Sequence, residues 1–361
     1  MKPERRLQVA ILGATGAVGQ RFVALLENHP WFEIASVAAS ERSAGRTYRE
    51  ACRWRLPYEA PDRVTSMVID DMSPHSGIDL AFSALSASVA GDVELAWARA
   101  GVPVFSNARN HRMDSDVPLV IPEINPDHLS LIACQRESRQ LPPSGFLVTN
   151  ANCSVTFLAM ALAPLHRAFG VKLASVVTMQ AVSGAGYPGL SALDISGNVI
   201  PFIAGEEEKL EAETQKILGT LENGTLEHAD ITVSAQVNRV PVTDGHTESV
   251  AVKLGTPATL GDVRDVLQAF SGEPQAAGLP SAPPHPIVVM DELDRPQPKL
   301  DVERENGMAT FVGGLRPCSV LDFKMTVLGH NTLRGAAGGS VLNAELAVAR
   351  GLVGGGRGDN R

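Results

Sequence analysis

The chain has 361 residues, of which 44% are hydrophobic and 20% charged, and its 31 Lys+Arg against 40 Asp+Glu give a net charge of −9 at pH 7. At about 100–200 residues per domain, this length predicts two domains, each large enough to bury a core without disulfides or a structural metal. An acidic chain without a Lys/Arg-rich stripe argues against nucleic-acid binding as the main function.

The N-terminal residues do not have the pattern of a secretory signal. The apolar run Val9–Leu12 is interrupted by Gly13, Gly16 and Gly19, and no other stretch supplies the roughly 18 apolar residues of a membrane span. The four cysteines show no C-x-x-C spacing, which argues against a disulfide framework and against a zinc site. We therefore expect a cytoplasmic protein with free thiols, no membrane partner and no bound metal.

The first 150 residues alternate short apolar runs with segments of helical spacing, a pattern typical of a parallel sheet with crossover helices. Strands are predicted at Val9–Leu12, Ile34–Ala38, Val64–Ile69, Leu80–Ala84, Val102–Phe105, Leu119–Ile121 and Phe146–Val148, and helices at Gly19–Asn28 and Val89–Ala100. We predict a Rossmann-type doubly wound α/β domain over residues 1–152.

Residues 153–332 are predicted to form a second, α+β domain with a mainly antiparallel sheet. It opens with a helix over Ser154–Phe169, capped by Asn152 or Ser154, and continues into β-branched strands. Further elements are predicted as strands at Lys172–Val182, Ile231–Asn238, Ser249–Leu254, Ile287–Met290 and Leu321–Leu328 and as a charged helix at Glu206–Leu218.

Three segments remain outside these elements. The Ala- and Gly-rich stretch at about 333–350 has helical spacing and is expected to pack back on the first domain. Ser271–Pro286 and the tail 351–361 are expected to be loop-like or disordered.

The strongest local motif is the glycine-rich segment 13–19, GATGAVG, which follows a predicted strand and opens a predicted helix. Such glycines let backbone N–H groups approach a pyrophosphate at the positive end of a helix, although a glycine-rich turn can also pack without a ligand. After the second strand, Arg42 with the hydroxyls of Ser40 and Ser43 suits the 2′-phosphate of NADP. Glu41 leaves NAD as the alternative.

Cys153 lies where the Rossmann half ends and a helix begins. The positive end of a helix dipole lowers the pKa of a thiol, so we expect a reactive Cys153 with a lowered pKa. The other three cysteines are interpreted as structural, and Cys153 would be structural too if it had no catalytic partners.

Several polar residues are candidate partners of this thiol. Arg239 and His246 flank a Pro/Gly turn, and these residue types bind carboxylates and transfer protons near neutral pH. Gln180 ends a predicted strand, and Arg109 follows a strand at the edge where open α/β sheets bind ligands. Taken singly, each could equally be a structural or solvated residue. The same holds for two residues of the charged helix, Glu207 and Lys209.

Taken together and in chain order, seven motifs resemble those of the aspartate-β-semialdehyde dehydrogenase family, in particular its archaeal and fungal branch. They are Gly13–Gly19, Ser106–Asn110, Asn150–Ser154, Gln180–Gly189, Gly205–Lys209, Asn238–His246 and Arg334–Ser340. The resemblance covers nearly the full chain. It implies NADPH, a catalytic domain that forms a homodimer or homotetramer, and the reductive dephosphorylation of aspartyl-β-phosphate with release of inorganic phosphate.

The resemblance also implies roles for individual residues. Cys153 would form the acyl-enzyme, His246 would be the general acid/base, and Gln180 would orient the reacting group. The substrate would be bound by Arg239 at its α-carboxylate, by Glu207 at its α-amino group, and by Lys209, Arg109 and Asn107 at its phosphate. The cofactor would be bound by Gly13, Thr15, Gly16, Ala17, Val18, Ser40, Arg42 and Ser43, and at its nicotinamide end by Ser183, Gly184 and Asn331.

In the chemistry that this implies, a thioester on Cys153 accepts a hydride. We expect His246 to be protonated when it assists the charge that develops on the oxygen, and the backbone N–H of Cys153 or of its neighbours at the helix start to be a second donor. Two departures from the family are Ala151, where Pro is familiar, and the long polar segment Gln135–Ser144, which we expect to be a surface insertion.

Other functions on the same scaffold stay open at this point. N-acetyl-γ-glutamyl-phosphate reductase and malonyl-CoA reductase would keep the cysteine and the histidine, but Glu207 and Arg239 suit a free amino acid better than an N-acylated or amine-free substrate. A non-catalytic dinucleotide-binding protein is disfavoured because both Cys153 and His246 are present.

Overall fold

Residues 2–222 and 224–354 are described by the computed structural model, and they contain a six-stranded sheet, a seven-stranded sheet and a short hairpin. The strands of the first sheet are β1 (Leu7–Leu12), β2 (Phe32–Ala38), β3 (Leu80–Ser83), β4 (Val104–Ser106), β5 (Leu119–Val120) and β6 (Leu147–Asn150). The helices of this part are α1 (Ala17–Leu26), α2 (Tyr48–Ala51), α3 (Asp62–Thr65), α4 (Ala87–Arg99) and α5 (Leu131–Ser138), with a 3-10 turn at Pro126–Ser130.

The first sheet is parallel, with the strand order β2-β1-β3-β4-β6-β5. Its order reverses beside β1, and ligands of open α/β sheets bind at the carboxyl ends of the strands at such a point. The loops after β1, β3, β4 and β6 therefore share one edge, which carries the glycine-rich loop, Asn107 and Cys153. The doubly wound fold predicted for this half is confirmed.

Six of the seven strands predicted in this half are present, with ends shifted by one or two residues. The strand predicted at Val64–Ile69 is wrong, because its first residues belong to α3 and the rest forms isolated bridges that involve Val68 and Asp70. Val64 and Ile69 are both buried. A helical turn followed by a bridge thus buries the same apolar positions that a strand would bury.

The second sheet comprises β7 (Val171–Gln180), β8 (Ile200–Pro201), β11 (Thr232–Arg239), β12 (His246–Leu254), β13 (Ile287–Val289), β14 (Thr310–Pro317) and β15 (Phe323–Gly329), and the hairpin comprises β9 (Thr220–Glu222) and β10 (Thr225–Glu227). The remaining helices are α6 (Cys153–Phe169), α7 (Ala192–Ile195), α8 (Glu206–Ile217), α9 (Leu260–Gln268), α10 (Glu273–Ala276), α11 (Pro298–Asp301) and α12 (Gly338–Ala349). Single turns lie at Val182–Ala185 and Arg304–Gly307 (3-10) and at Leu333–Ala337 (π).

The strand order of the second sheet is β13-β14-β15-β12-β7-β11-β8. Most neighbouring strands are antiparallel, as predicted, and the pairs β7–β11 and β13–β14 are parallel. The sequence did not predict β14, in which Gly313 and Gly314 interrupt the apolar alternation at an irregularity of the pairing with β15. The segment Ser271–Pro286, expected to be a loop, contains α10.

Helix α6 links the two halves of the molecule. It packs against β7, β12 and β15 on one side and against the π turn Leu333–Ala337 on another. The ring of Phe157 fills the space over Gly329, where a Cβ would lie 2.0 Å from it. Because Gly329 pairs with His246 across β12 and β15, this packing holds the start of α6 near the start of β12.

The C-terminal helix returns to the first sheet. Side chains of α12 such as Val341 and Leu346 join the core formed by β1, β2 and β3. Within the tail predicted to be disordered, residues 351–354 form a turn in which Val353 is buried. The rest of that predicted tail, residues 355–361, lies outside the described residues.

The segment Gln135–Ser144, expected to be a surface insertion, is the end of α5 and the turn that follows. Gln135 is fully buried, and its side-chain amide donates to the carbonyl of Leu147 (3.0 Å) and accepts from its N–H (2.7 Å). The expectation is therefore wrong at Gln135, which fastens α5 to β6, while Glu137, Ser138 and Ser144 are exposed.

The described residues contain neither a membrane-spanning helix nor a group of metal-binding side chains. None of their helices combines the length and the apolar character needed to cross a bilayer. Likewise, no three His, Cys, Asp or Glu side chains of the described part come together as ligands of a metal ion.

Candidate active site

The candidate nucleophile Cys153 is the first residue of α6. Asn152 is the N-cap of this helix, because its Oδ1 accepts from the N–H groups of Ser154 (3.0 Å) and Val155 (3.4 Å). The alternative cap, Ser154, is thereby excluded. Gly335 of the π turn lies against the cysteine, where a Cβ would come within 2.8 Å of the Cys153 Cβ.

The pKa of the Cys153 thiol is shifted in the opposite direction to the one that its helix position predicts. Burial raises this pKa to about 12, and the Glu206 carboxylate raises it further, while the guanidinium groups of Arg112 and Arg239 and the Ser154 N–H act in the other direction. The predicted lowering is therefore wrong for the free protein, because desolvation of the sulfur outweighs the helix terminus and both cations.

His246 begins β12 and is fully buried. Its Nδ1 accepts from the Ala181 N–H (3.0 Å), so the proton of the neutral ring is on Nε2, which has no hydrogen-bond partner among the described residues. Burial lowers the pKa of His246 to about 3, and Arg239 and His330 contribute. In the free protein His246 is therefore a neutral Nε2–H donor, and its protonation during the reduction stays a prediction.

Arg239 and Gln180 lie side by side at the ends of β11 and β7, where they form a register pair. Both side chains are buried, and Arg239 Nη1 donates to the carbonyl of Ala181 (2.8 Å). Burial lowers the pKa of Arg239 while Cys153 and Glu206 raise it, which shows that the three groups are near one another. An arginine of this kind stays charged and can bind a carboxylate.

The carboxylate that faces the thiol is Glu206, not Glu207. Glu206 is buried, accepts from the Asn152 side-chain amide (2.9 Å) and pairs with Lys209. Glu207 Oε1 instead accepts from the backbone N–H of Val237 on β11 (3.2 Å). The geometry therefore favours Glu206 over Glu207 for the predicted role at the substrate's α-amino group. Positions three apart share a helix face, so the spacing of Glu206 and Lys209 is the signal that identifies it.

Two cations approach Glu206 from different elements. Lys209 follows it by one helical turn, and the exposed guanidinium of Arg109 reaches the start of α8, where Nη1 lies 3.9 Å from the position of a Cβ on Gly205. Residues predicted as phosphate ligands from the two halves of the chain therefore both lie at the start of α8.

Asn107 has its side chain occupied within the protein. Its Nδ2 donates to the Ser83 carbonyl (3.2 Å), and its Oδ1 accepts from Asn150 Nδ2 (3.2 Å). Asn107 thus connects the loops after β3, β4 and β6, while its predicted contact with the phosphate stays a prediction.

The glycine-rich loop forms a cradle at the end of β1. Gly13 has a φ of +82°, and a Cβ there would lie 2.9 Å from the Ala84 carbonyl oxygen. A Cβ on Gly19 would overlap the Gly13 carbonyl at 2.2 Å. Gly16 is the N-cap of α1 and supplies no side-chain cap to the N–H groups of its first turn. The predicted cofactor residues Thr15, Gly16, Ala17 and Val18 form this turn and the beginning of α1.

Ser40, Arg42 and Ser43 lie in the turn that follows β2. The N–H of Gly13 donates to the Ala38 carbonyl (2.9 Å), which brings this turn next to the cradle. Arg42 is exposed there, at the place where the adenosine ribose of a dinucleotide lies in such folds.

The three residues predicted at the nicotinamide end are together beside His246. Asn331 Nδ2 donates to Ser183 Oγ (2.8 Å), and Asn331 Oδ1 accepts from the Gly245 N–H (2.8 Å). A Cβ on Gly184 would lie 3.2 Å from His246 Nε2. A side chain at this position would therefore crowd the imidazole.

Glu248 is a buried acid that sequence reasoning did not identify. It lies two residues after His246 on the same face of β12, and neither carboxyl oxygen has a hydrogen-bond partner among the described residues. Burial raises the pKa of Glu248 well above its ordinary value. The side chain is therefore a neutral acid in the folded protein.

Glu248→Gln should make the protein more stable at alkaline pH. The folded wild type holds a proton that the unfolded chain releases above about pH 4.3, so between the two pKa values its free energy of unfolding falls by about 1.4 kcal/mol per pH unit. The neutral glutamine removes this dependence. Denaturant unfolding at pH 5.5, 7 and 8.5 measures the difference, which should grow with pH. Glu208→Gln, at an exposed position of α8, is the control, and its difference in unfolding free energy from wild type should not change with pH. If the difference for Glu248→Gln were equally independent of pH, Glu248 would not be the buried neutral acid that we assign.

A Rossmann sheet that ends beside a thiol, with an imidazole donor and a fixed cation next to it, suits hydride transfer at an acyl group held on sulfur. Fold and site thus define a dinucleotide-dependent dehydrogenase that works through a cysteine.

Comparison with known proteins narrows this class. Residues 8–132 match the family model of the semialdehyde dehydrogenase NAD binding domain, and residues 162–334 match that of the semialdehyde dehydrogenase dimerisation domain. The chain is 47% identical to the aspartate-semialdehyde dehydrogenase of Cryptococcus neoformans (98% of this chain, 100% of the relative) and 48% identical to that of Methanothermobacter thermautotrophicus (94% and 98%). The chain belongs to the aspartate-semialdehyde dehydrogenase family.

A solved structure agrees with this membership. The crystal structure of aspartate semialdehyde dehydrogenase with NADP from Candida albicans matches with a TM-score of 0.89 and 42% identity, over 96% of this chain and 99% of that one. The Rossmann-type fold and the second, α+β part predicted from the sequence are therefore confirmed, as is the family resemblance.

Proposed function

We propose that this enzyme reduces L-aspartyl-4-phosphate to L-aspartate-4-semialdehyde with NADPH and releases inorganic phosphate, a step toward lysine, methionine, threonine and isoleucine. The observation that carries the proposal is the pair of opposite charges beside the thiol, Glu206 and Arg239. A free amino acid presents an ammonium and a carboxylate to such a pair, whereas an N-acylated or amine-free substrate has no ammonium for Glu206 to bind.

The residues present fit NADP. The Gly13 and Gly19 positions leave no room for a Cβ, and the N–H groups at the start of α1 are free of side-chain caps, which suits a pyrophosphate. Arg42 supplies a cation for the 2′-phosphate. NADP, when bound, supplies or accepts a hydride at the nicotinamide end, which we assign to Ser183, Gly184 and Asn331.

Substrate binding prepares the thiol for attack. An ammonium paired with Glu206 cancels the negative charge that raises the pKa of Cys153, and the two nearby guanidinium groups then favour the thiolate. Arg239 binds the α-carboxylate, and Lys209 and Arg109 bind the phosphoryl group. Sγ forms a bond to the acyl carbon, the carbon–oxygen bond to phosphate breaks, and the phosphate takes the thiol proton, so that a thioester remains.

During reduction, the thioester oxygen gains negative charge. The His246 Nε2–H donates to it, and its neutral ring keeps this proton available because burial opposes a second one. The backbone N–H of Cys153, which no hydrogen bond within the described residues uses, is the second donor that we propose. Gln180, buried beside Arg239, orients the reacting group.

We further propose a cytoplasmic homodimer or homotetramer. The matched dimerisation model covers the second sheet, and Val177 of β7 is exposed on its uncovered face. The free thiols at Cys52, Cys134, Cys153 and Cys318 suit a reducing compartment.

The reaction is tested in the direction that consumes the aldehyde. Purified enzyme with L-aspartate-4-semialdehyde, NADP and inorganic phosphate should form NADPH, and N-acetyl-glutamate semialdehyde should not support it. Turnover with the acetylated aldehyde alone, or with malonyl-CoA and NADPH, would keep Cys153 and His246 but overturn the substrate roles of Glu206 and Arg239.

Arg42→Ala should raise the KM for NADP about tenfold or more and that for NAD less than about twofold, because a charge-assisted hydrogen bond is worth about 1.5–3 kcal/mol. Steady-state kinetics with both cofactors measures this, with Glu41→Ala at the neighbouring exposed position as the control. Equal effects of Arg42→Ala on the two cofactors would refute its contact with the 2′-phosphate.

A further inference from the structure

Glu213 of α8 joins the two halves of the molecule directly behind the nucleophile. Its Oε1 accepts from Arg112 Nη1 (3.0 Å), and its Oε2 accepts from the backbone N–H of Asn152 (2.7 Å). Glu213 is 2% exposed and Arg112 7%. A single buried carboxylate therefore connects the loop after β4 with the residue that precedes Cys153.

The same helix also fastens the rest of that loop. One turn further along α8, the buried Lys216 Nζ donates to the carbonyl oxygens of Arg112 (2.7 Å), Asp114 (2.8 Å) and Val117 (3.0 Å). Arg112 Nη2 donates to the Asn107 carbonyl (2.7 Å). Since Arg109 lies between these anchors, α8 fixes the loop that carries a proposed phosphate ligand.

Stability alone does not account for such a pair. Removing two charges from water costs several kcal/mol per ion, and apolar residues of similar size are often equally stabilising. An apolar pair, however, cannot form hydrogen bonds that fix the orientation of a neighbouring group. Asn152 is held at its N–H by Glu213 and at its side-chain amide by Glu206, while its Oδ1 caps α6. These three contacts fix the orientation of the backbone that leads into Cys153.

We propose that Glu213, paired with Arg112, is a positioning residue for the reaction: it fixes Asn152, and through it the Cys153 sulfur, relative to the phosphate-binding loop. The proposal rests on the proposed function, because its kinetic effect is measured on that reaction. It assigns neither Glu213 nor Arg112 a contact with substrate or cofactor.

Glu213→Gln is nearly isosteric, yet it puts an N–H₂ group in place of one of the two accepting oxygens, where it faces a donor, and it loses the charge. We expect kcat to fall about 10–100-fold, with KM values for the aldehyde and for phosphate within about threefold, because the misplacement affects the attack more than binding. Arg112→Gln should have a similar effect. The double variant should be no slower than the slower single variant, since both break one network.

Alkylation of Cys153 by iodoacetamide, followed by peptide mass spectrometry, gives a second readout that needs no substrate. The charged groups that act on the sulfur are Glu206 on α8, Arg112 on its loop and Arg239 on β11, and His246 on β12 lies beside Arg239. Removing the Glu213 charge leaves Arg112 unbalanced, which lowers the pKa of the thiol and should speed alkylation at pH 8. Arg112→Gln removes the cation, raises that pKa and should slow it.

These opposite changes in alkylation rate distinguish a positioning role from a general loosening of the structure around Cys153. General loosening would speed alkylation in both variants, and that result would overturn the proposal. So would a kcat within threefold of wild type in Glu213→Gln. Should Arg112→Gln not fold, Arg112→Lys keeps the charge but loses the forked contact, and it should show a lowered kcat with nearly unchanged alkylation.

Arg139→Gln is the matched control. Arg139 pairs with Asp114 and Asp116 of the same loop and has no contact with Asn152, so its loss should lower the melting temperature and leave kcat and alkylation unchanged. If wild-type enzyme formed no NADPH from aspartate semialdehyde, the proposed function would fail. The opposite changes in alkylation rate in Glu213→Gln and Arg112→Gln would still test whether this pair acts on the Cys153 sulfur.

Discussion

Cys153→Ala is expected to reduce turnover by about 10⁴-fold or more while NADP affinity stays within about twofold of wild type. The thioester cannot form without the sulfur, and loss of a covalent nucleophile has effects of this size or larger. The cofactor cradle, by contrast, is built by the loop after β1 and by α1, which do not include Cys153. NADPH formation and calorimetric titration with NADP measure the two quantities.

Cys134→Ala is the control, because Cys134 is exposed on α5 and plays no part in the site. It should behave as wild type in both measurements. Turnover above about one percent in Cys153→Ala would contradict the covalent mechanism, and a parallel loss of NADP binding would mean that the substitution disturbs more than the nucleophile.

The second large effect distinguishes two neighbouring carboxylates. Glu206→Gln should lower kcat/KM for the aldehyde about 10²–10³-fold, because an ammonium then loses a buried charge-assisted partner worth about 3–4 kcal/mol. Glu207→Gln should lower it less than about threefold, since its amide oxygen can still accept from Val237. Steady-state kinetics on the two variants measures the contrast, and a larger loss in Glu207→Gln would restore the role that the sequence motif assigned to it.

Glu206→Gln has a further expected consequence at the sulfur. The carboxylate raises the pKa of Cys153, so its neutral replacement should lower that pKa and speed alkylation by iodoacetamide while turnover falls. An unchanged rate of alkylation would show that the two groups do not interact.

The parallel sheet and most of its strands could be predicted from periodicity, because fully buried strands are short, apolar and bounded by turns. The segment 64–69 could not, since burial of Val64 and Ile69 does not distinguish a strand from a helical turn followed by a bridge. The β14 strand was missed for a similar reason, as its paired glycines hide the alternation.

The composition of the site could be predicted better than its electrostatics. Chain-order motifs identified Cys153, Arg239 and His246, and the pairing of β7 with β11 and β12 brings the last two together. A pKa, however, depends on how far each group is removed from water, and that is set by α8, the loop with Arg112 and β12 acting together. The choice between Glu206 and Glu207 likewise depends on the rotation of α8, which a motif does not specify.

Cys153 is expected to carry the acyl group between hydride transfer and phosphate attack. Rapid mixing of the enzyme with aspartate semialdehyde and excess NADP, without phosphate, should give a burst of close to one NADPH per chain and then stop, with the acyl group on the Cys153 peptide. Addition of phosphate should restart NADPH formation. Steady turnover without phosphate, or no burst in an enzyme that turns over with phosphate, would contradict the thioester.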